Sequence, residues 1–169
     1  MPLRVFRLVD CRHAHALLDG TVAARSGARW NPRGSPVVYT SLSPSLAILE
    51  LMNQDPLASQ PERQVLGIIT VPAALVERLD PALLAPRWRS LGHHTQEIGA
   101  RWLAHGNAAL VVPSAIHDHE DNLLLNPRHP RFQEITLVGC EPLRLRACIT
   151  LTDDGPTPPA PRPAVTIDR

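Results

Sequence analysis

The sequence predicts an α+β domain, on three observations. Residues 65–71 and 108–112 are almost unbroken apolar runs, the pattern of strands buried on both faces. Residues 4–9 alternate apolar and polar, the pattern of a half-buried strand. Helical spacing occurs only in short stretches between irregular loops, so a regular strand–helix–strand series is not expected.

The elements follow in order. Residues 4–9 are the first strand. Asp10 is placed to cap a short helix running through His15 to Asp19, and Gly20 to end it. Residues 26–34, rich in Gly, Asn and Pro, read as a loop. Residues 36–41 are rich in β-branched side chains and read as a strand, which puts Val37, Tyr39 and Ser41 on one face. Ser43 caps the next helix, with Pro44 at its first position, where the missing N–H costs nothing. That helix extends to about Gln54.

Residues 65–71 form the next strand, and 72–79 a short helix or turn. Residues 95–105 have helical spacing through Ile98, Trp102 and Leu103, and Gly106 is a suitable stop. Residues 108–112 form a strand ended by Pro113. Residues 116–130 read as irregular and polar. Residues 135–138 and 143–149 complete the strands. From Asp153 onward Pro156, Pro158, Pro159, Pro161 and Pro163 crowd a stretch with little apolar content. It reads as a flexible tail over 153–169 behind one domain over 1–152. No internal repeat is visible.

The totals limit what the protein does. A chain of 169 residues can bury a real core, and a net charge of +1 gives no bulk electrostatic reason to bind nucleic acid or an anionic membrane. No apolar run approaches the roughly 20 residues of a membrane-spanning helix. The first residues lack the apolar core of a secretory signal, so the expected compartment is the cytoplasm. Cys11, Cys140 and Cys148 have no metal-ligand or disulfide spacing and are expected to be buried as small hydrophobes. All 17 basic side chains other than His are Arg. Genomic base composition explains that, yet it excludes Schiff-base chemistry and a P-loop lysine. Any phosphate must be held by Arg, His, hydroxyls or backbone N–H groups.

Four polar residues stand out. Arg29 sits in a Gly-containing loop beside Trp30. Taken alone it is a surface Arg stacked on an indole. Tyr39 is the one Tyr of the chain, and a half-buried core position is the plain alternative to a ligand-stacking ring. Glu50 lies with Asn53 and Gln54 on the polar strip of an otherwise apolar helix. The strip faces either water or a cleft walled by Ile48, Leu49 and Leu51. Ser114 follows a buried strand and Pro113 without the G-x-S-x-G elbow of a hydrolase nucleophile. The His117-Asp118-His119-Glu120-Asp121 string and the His93-His94 pair match no standard zinc spacing, so no metal is expected.

Taken in order, these segments carry a resemblance. They are Phe6-Arg7, Gly27-Ala28-Arg29-Trp30-Asn31-Pro32-Arg33-Gly34, Pro36 through Ser41, and Leu46-Ala47-Ile48-Leu49-Glu50. Thr95-Gln96-Glu97-Ile98-Gly99 with Trp102, Val112-Pro113-Ser114-Ala115, and Asn122 through Pro127 continue it. Together they resemble the RES-domain family, named for an Arg, a Glu and a Ser, over residues 4–150. Many members are toxins of bacterial toxin–antitoxin pairs. Two departures stand out: Ala28 where a Gly is common, and no Asp before Arg144-Leu145.

The resemblance implies an ADP-ribosyltransferase-like split β-sandwich with short helices, and a pocket for nicotinamide adenine dinucleotide. It implies NAD+ as substrate rather than cofactor, with inorganic phosphate as a candidate co-substrate. Cleavage of the nicotinamide–ribose bond by hydrolysis or phosphorolysis is the expected activity, and transfer of ADP-ribose to a protein is the alternative. A non-catalytic module binding a nucleotide or antitoxin is the rival from another class. The implied partner is an antitoxin with a helix-turn-helix (Xre-like) region, in a complex where a toxin homodimer is a candidate. The implied catalytic residues are Glu50, Arg29 and Tyr39. Arg29, Tyr39, Ser114, Arg7, Asn122 and Asn126 are the implied substrate contacts.

Overall fold

The computed structural model describes residues 1–54 and 61–145. The predicted tail, Cys148 and the strand positions 146–149 lie outside the described residues. Among the described residues seven strands form one sheet in the order β4-β5-β6-β2-β1-β3-β7. They are β1 (Leu3–Asp10), β2 (Val38–Ser41), β3 (Gln64–Val71), β4 (Val76–Arg78), β5 (Ala109–Pro113), β6 (Asp121–Leu125) and β7 (Thr136–Pro142). Among the same described residues three α-helices accompany them: α1 (Thr21–Ser26), α2 (Pro44–Gln54) and α3 (Gly92–Ala104). Short 3-10 turns fill several connections.

The sheet is split down its middle. β1 pairs with β3 along all eight of its residues, from Leu3↔Val71 to Asp10↔Gln64. On its other side β1 meets β2 at one antiparallel pair, Phe6↔Ser41. β2 turns instead to β6, which pairs onward with β5. The halves β4-β5-β6-β2 and β1-β3-β7 are therefore joined at a single pair, and the parted strands leave an opening between them. This is the split α+β architecture expected.

Strand alternation divides the core into two clusters. On one face lie Val38, Val111, Leu123 and Leu125, with Val5 and Ile69 from the other half. On the other lie Leu110, Val112 and Leu124, packed with Val37, Trp30, Trp88, Ile98 and Trp102. α3 thus covers the second face. Its apolar spacing through Ile98 and Trp102 is what the sequence predicts, and Gly106 ends it with φ 74°. α2 begins as expected: Ser43 Oγ accepts from the Leu46 N–H at 3.0 Å.

Several expectations are corrected. Residues 116–130 are not all irregular, for β6 lies inside the sheet between β5 and β2. Leu123, Leu124 and Leu125 are fully buried, so this strand is a short continuous apolar run hidden among polar neighbours. Asp10 does cap, accepting from the Arg12 N–H, but the turn it opens is a 3-10 segment, Cys11–Ala16. Gly20 then precedes an unpredicted helix, α1. Residues 72–79 contain β4, three residues paired parallel with β5. Residues 143–145 carry no strand, although the Leu143 N–H still donates to Gln64 O at 2.8 Å. Cys11 and Cys140 are exposed rather than buried. Cys140 sits on β7 at the sheet edge, a strand exposed at nearly every position among the described residues, so the usual burial of thiols does not apply.

Candidate active site

A cleft of about 470 Å³ opens where β1 and β2 part. Phe6, Arg7 and Leu8 line it from β1, and Tyr39, Thr40 and Ser41 from β2. Glu50, Leu51 and Asn53 enter from α2, Asn122 from β6, and Val22, Ala23 and residues 26–30 contribute much of the remaining wall. This size suits a small-molecule ligand. Glu50 and Asn53 of the polar strip of α2 therefore face the cleft. The apolar neighbours of Glu50 on the wall are Ala47 and Leu51, not the expected Ile48 and Leu49; Leu49 is turned out to solvent.

Alternation explains how the site assembles. Tyr39 and Ser41 share one face of β2, and Asn122 lies on the matching face of β6, where it is paired in register with Ser41. Ser114 continues the same alternation one residue past the end of β5. Glu50 reaches this face from α2. Its Oε1 accepts from Asn122 Nδ2 at 2.6 Å and from Ser114 Oγ at 3.2 Å. Asn122 Oδ1 in turn accepts from Ser41 Oγ at 2.8 Å, which orients the amide with its NH₂ toward Glu50. Among the described residues Oε2 of Glu50 has no protein partner.

Ser114 is completely buried, behind Glu50 and not on the cleft wall. Its hydroxyl also accepts from the backbone N–H groups of Ile116 and His117 at 3.1 and 3.2 Å. The hydroxyl is thus a junction between the 115–120 loop and the carboxylate. The acidic residues of that loop have structural partners. Asp118 pairs with Arg89, Glu120 accepts from Ser43 Oγ at the start of α2, and Asp121 pairs with Arg78. These contacts account for the acidic members of the His117–Asp121 string. His94 Nε2 likewise contacts Leu83 O at 3.1 Å.

Arg29 occupies the corner of a tight turn closed by the bridge Ala28↔Asn31. Gly27 takes the positive φ of 72°, and Ala28 keeps a negative one, so the Ala for Gly departure is harmless to the backbone. The Arg29 guanidinium donates to Arg89 O at 2.9 Å and lies 5.9 Å from the ring of Trp88. Its indole neighbour is thus Trp88 and not the adjacent Trp30.

Tyr39 lines the cleft, and its hydroxyl is committed to the Arg29 turn. It donates to Asn31 Oδ1 at 2.7 Å and accepts from the Trp30 N–H at 3.0 Å. Burial pushes the phenol well above its ordinary pKa, with the Trp30 N–H bond and the Arg29 charge opposing.

Arg7, on β1, lines the cleft and donates to Leu17 O at 2.8 Å. Burial lowers its pKa and the nearby Asp19 charge works the other way; an Arg in this setting stays charged. Asn126 is not part of the site. Its amide donates to Asn107 O at 3.1 Å and accepts from the Arg128 N–H at 3.0 Å, holding the turn after β6.

Sequence reasoning missed Asn31, Ser41, Thr95 and Gln96 as supports of the site. Asn31 is fully buried, and its amide donates to Ala23 O, Pro32 O and Ser35 O at 2.9, 3.2 and 2.9 Å. The signal available was a polar residue flanked by Trp and Pro in a loop, which does not by itself reveal burial.

Fold and cleft together define a small α+β protein with a carboxylate and two guanidiniums around a cavity in a parted sheet. The chain belongs to the RES domain family, whose model matches residues 4–146. It is 34% identical over 134 residues to the protein called Toxin Res of Yersinia enterocolitica, covering 78% of this chain and 88% of that one. A Toxin Res of Pseudomonas putida is 39% identical over 124 residues, covering 71% and 84%. The Prs ADP-ribosylating toxin of a Sphingobium strain is 35% identical over 119 residues, covering 67% and 74%. Among solved structures, a chain from the crystal structure of the M. tuberculosis MbcT–MbcA toxin–antitoxin complex shares the fold, with a TM-score of 0.63 and 21% identity over 83% of each chain.

Proposed function

We propose that this protein is the toxin of a toxin–antitoxin pair and that it cleaves the nicotinamide–ribose bond of NAD+. One observation carries the reading. In a cleft lined by Arg29, Arg7 and Tyr39, Glu50 has one carboxylate oxygen fixed by Asn122 and Ser114 and the other without a protein partner among the described residues. Relatives named Toxin Res support the toxin role.

The chemistry follows from the bond broken. Nicotinamide leaves with the C–N electron pair and becomes neutral, so no general acid is needed. The ribose passes through an oxocarbenium-like state, positive at the anomeric carbon and ring oxygen. The Glu50 carboxylate, oriented before substrate arrives, stabilises that charge and holds ribose hydroxyls. Arg29 and Arg7 provide the fixed positive charge for the pyrophosphate, and the Tyr39 ring a flat surface for stacking. Water, phosphate or a protein nucleophile captures the sugar from the open side, releasing one proton when the acceptor is water.

The test is product analysis. Pure protein mixed with NAD+ should release nicotinamide and, in parallel arms with and without phosphate, ADP-ribose or its 1″-phosphate. Absence of nicotinamide release in both arms would sink hydrolysis and phosphorolysis together. The relative named Prs ADP-ribosylating toxin supports the alternative of transfer to a protein. In that case label from adenine-labelled NAD+ appears on a target protein. An antitoxin that occupies the cleft is the proposed partner, and the cytoplasm, where NAD+ is abundant, the proposed compartment. Among the described residues no helix is long and apolar enough to cross a membrane.

A further inference from the structure

We infer that Thr95 and Gln96, at the start of α3, are positioning residues that set the place of the Arg29 guanidinium, an inference that rests on the dinucleotide reading above. The Arg29 turn has little regular structure of its own, being closed by a single bridge between Ala28 and Asn31. Its carbonyls are held from outside. Thr95 Oγ1 donates to Arg29 O at 2.7 Å, and Gln96 Nε2 donates to Ala28 O at 2.9 Å. These are consecutive carbonyls of the turn, gripped by consecutive residues of α3.

Thr95 is completely buried, so its hydroxyl has no solvent to fall back on and must find its partners within the protein. Its hydroxyl lies 3.0 Å from Gly92 O as well, which ties it to the first turn of the helix. One turn farther along, Gly99 lets the helix backbone touch the same corner. A Cβ there would stand 1.7 Å from Trp30 O. The guanidinium end is met by Arg89 O, on the segment leading into α3. The α3 region thus fixes Arg29 at both its backbone and its charged tip, without entering the cleft. Neither Thr95 nor Gln96 lines the cavity.

A role through Arg29 predicts a specific kinetic pattern. Arg29 grips a part of the dinucleotide remote from the bond that breaks. Loosening it should weaken binding of substrate more than it slows turnover. Thr95→Val keeps the shape and removes the hydroxyl. Gln96→Glu keeps the length and replaces the donor with an acceptor facing Ala28 O. Thr95→Ser restores the hydroxyl.

The experiment measures NAD+ affinity by calorimetry, with KM and kcat from nicotinamide release, on folded variants checked by circular dichroism. Thr95→Val and Gln96→Glu should each bind roughly tenfold more weakly, equivalent to about 1.4 kcal/mol, with a matching rise in KM and kcat within about twofold. Thr95→Ser should restore affinity. His93→Ala, on the exposed side of the same helix, should match wild type. Unchanged affinity in folded Thr95→Val and Gln96→Glu would overturn the inference. So would a fall in kcat with affinity intact, or failure of Thr95→Ser to restore affinity. If wild type binds NAD+ but releases no nicotinamide, the cleavage reading fails and the affinity series still decides this one. A wild-type chain that does not bind NAD+ overturns both.

Discussion

Asn122 and Glu50 meet at 2.6 Å, amide to carboxylate, although they are 72 positions apart in the chain. Ser41 fixes the amide's orientation from the neighbouring strand, and Ser114 adds a second donor to the same carboxylate oxygen. Glu50 is thereby held in one orientation before any ligand binds. That arrangement leads to the first two predictions.

Glu50→Ala should lose at least about a hundredfold in nicotinamide release, because it removes a charge contact worth on the order of 3 kcal/mol in the transition state. The residue is half-buried on the face of α2 toward the cleft, so folding should survive. Wild-type turnover in a folded Glu50→Ala protein would refute the role given to this carboxylate. Single-turnover release of nicotinamide is the measurement.

Asn122→Ala and Ser114→Ala should lower kcat through Glu50, but their effects on stability should differ. Asn122→Ala strips one donor from Glu50 and one acceptor from Ser41. Ser114→Ala also takes the shared acceptor from two part-buried backbone N–H groups. The Ser114 variant should therefore be the less stable, by about 1–3 kcal/mol relative to wild type. Urea unfolding alongside kcat separates the two. A Ser114→Ala protein as stable as wild type would show that the 115–120 loop has another anchor.

Tyr39→Phe should be more damaging than a stacking role alone predicts. The hydroxyl joins the Trp30 N–H to Asn31 Oδ1 beneath the Arg29 turn. Removing it leaves both groups buried without that partner, at a cost of about 1–3 kcal/mol. Thermal unfolding and the KM for NAD+ should both respond, the latter because the turn carries Arg29. A Tyr39→Phe protein indistinguishable from wild type in both would show that the ring alone matters.

Stability should fall in alkaline solution, through Tyr39. Its folded phenol holds the proton more tightly than the unfolded one, which titrates near ~10. Below that pH both states are protonated and the group contributes no pH dependence. Above it the unfolded chain loses the proton first and is favoured. Because this is the one Tyr of the chain, absorbance of tyrosinate reports it directly. Folded protein at about pH 10.5 should show little tyrosinate, and the same chain in guanidinium should show most of it. Ordinary titration in the folded state would contradict the burial of the hydroxyl.

Much of this architecture is legible before folding is known. Ser43 before Pro44 marks the start of α2, and the buried runs mark β3 and β5. β6 is missed because its three leucines are bounded by Asp121 and Asn122 on one side and Asn126 and Pro127 on the other. Burial on both faces erases the alternation that would have exposed it. β4 is missed because a three-residue strand takes its stability from pairing with β5 and not from its own composition.

For the site, the residues and the helix face carrying Glu50 are present in the sequence, and their family order selects Arg29, Tyr39, Glu50 and Ser114. Which way that face points is decided only by the sheet. β1 and β2 part after the Phe6↔Ser41 pair, and Glu50 and Asn53 of α2 face the cleft this leaves. Tertiary structure also assigns the partners. Ser114 lies behind Glu50, the Tyr39 hydroxyl lies under the Arg29 turn, and Asn126 lies outside the site. Local spacing determines which residues share a face of one element. Which faces meet depends on packing between segments far apart in the chain, and that is why only the folded protein could bring these side chains together.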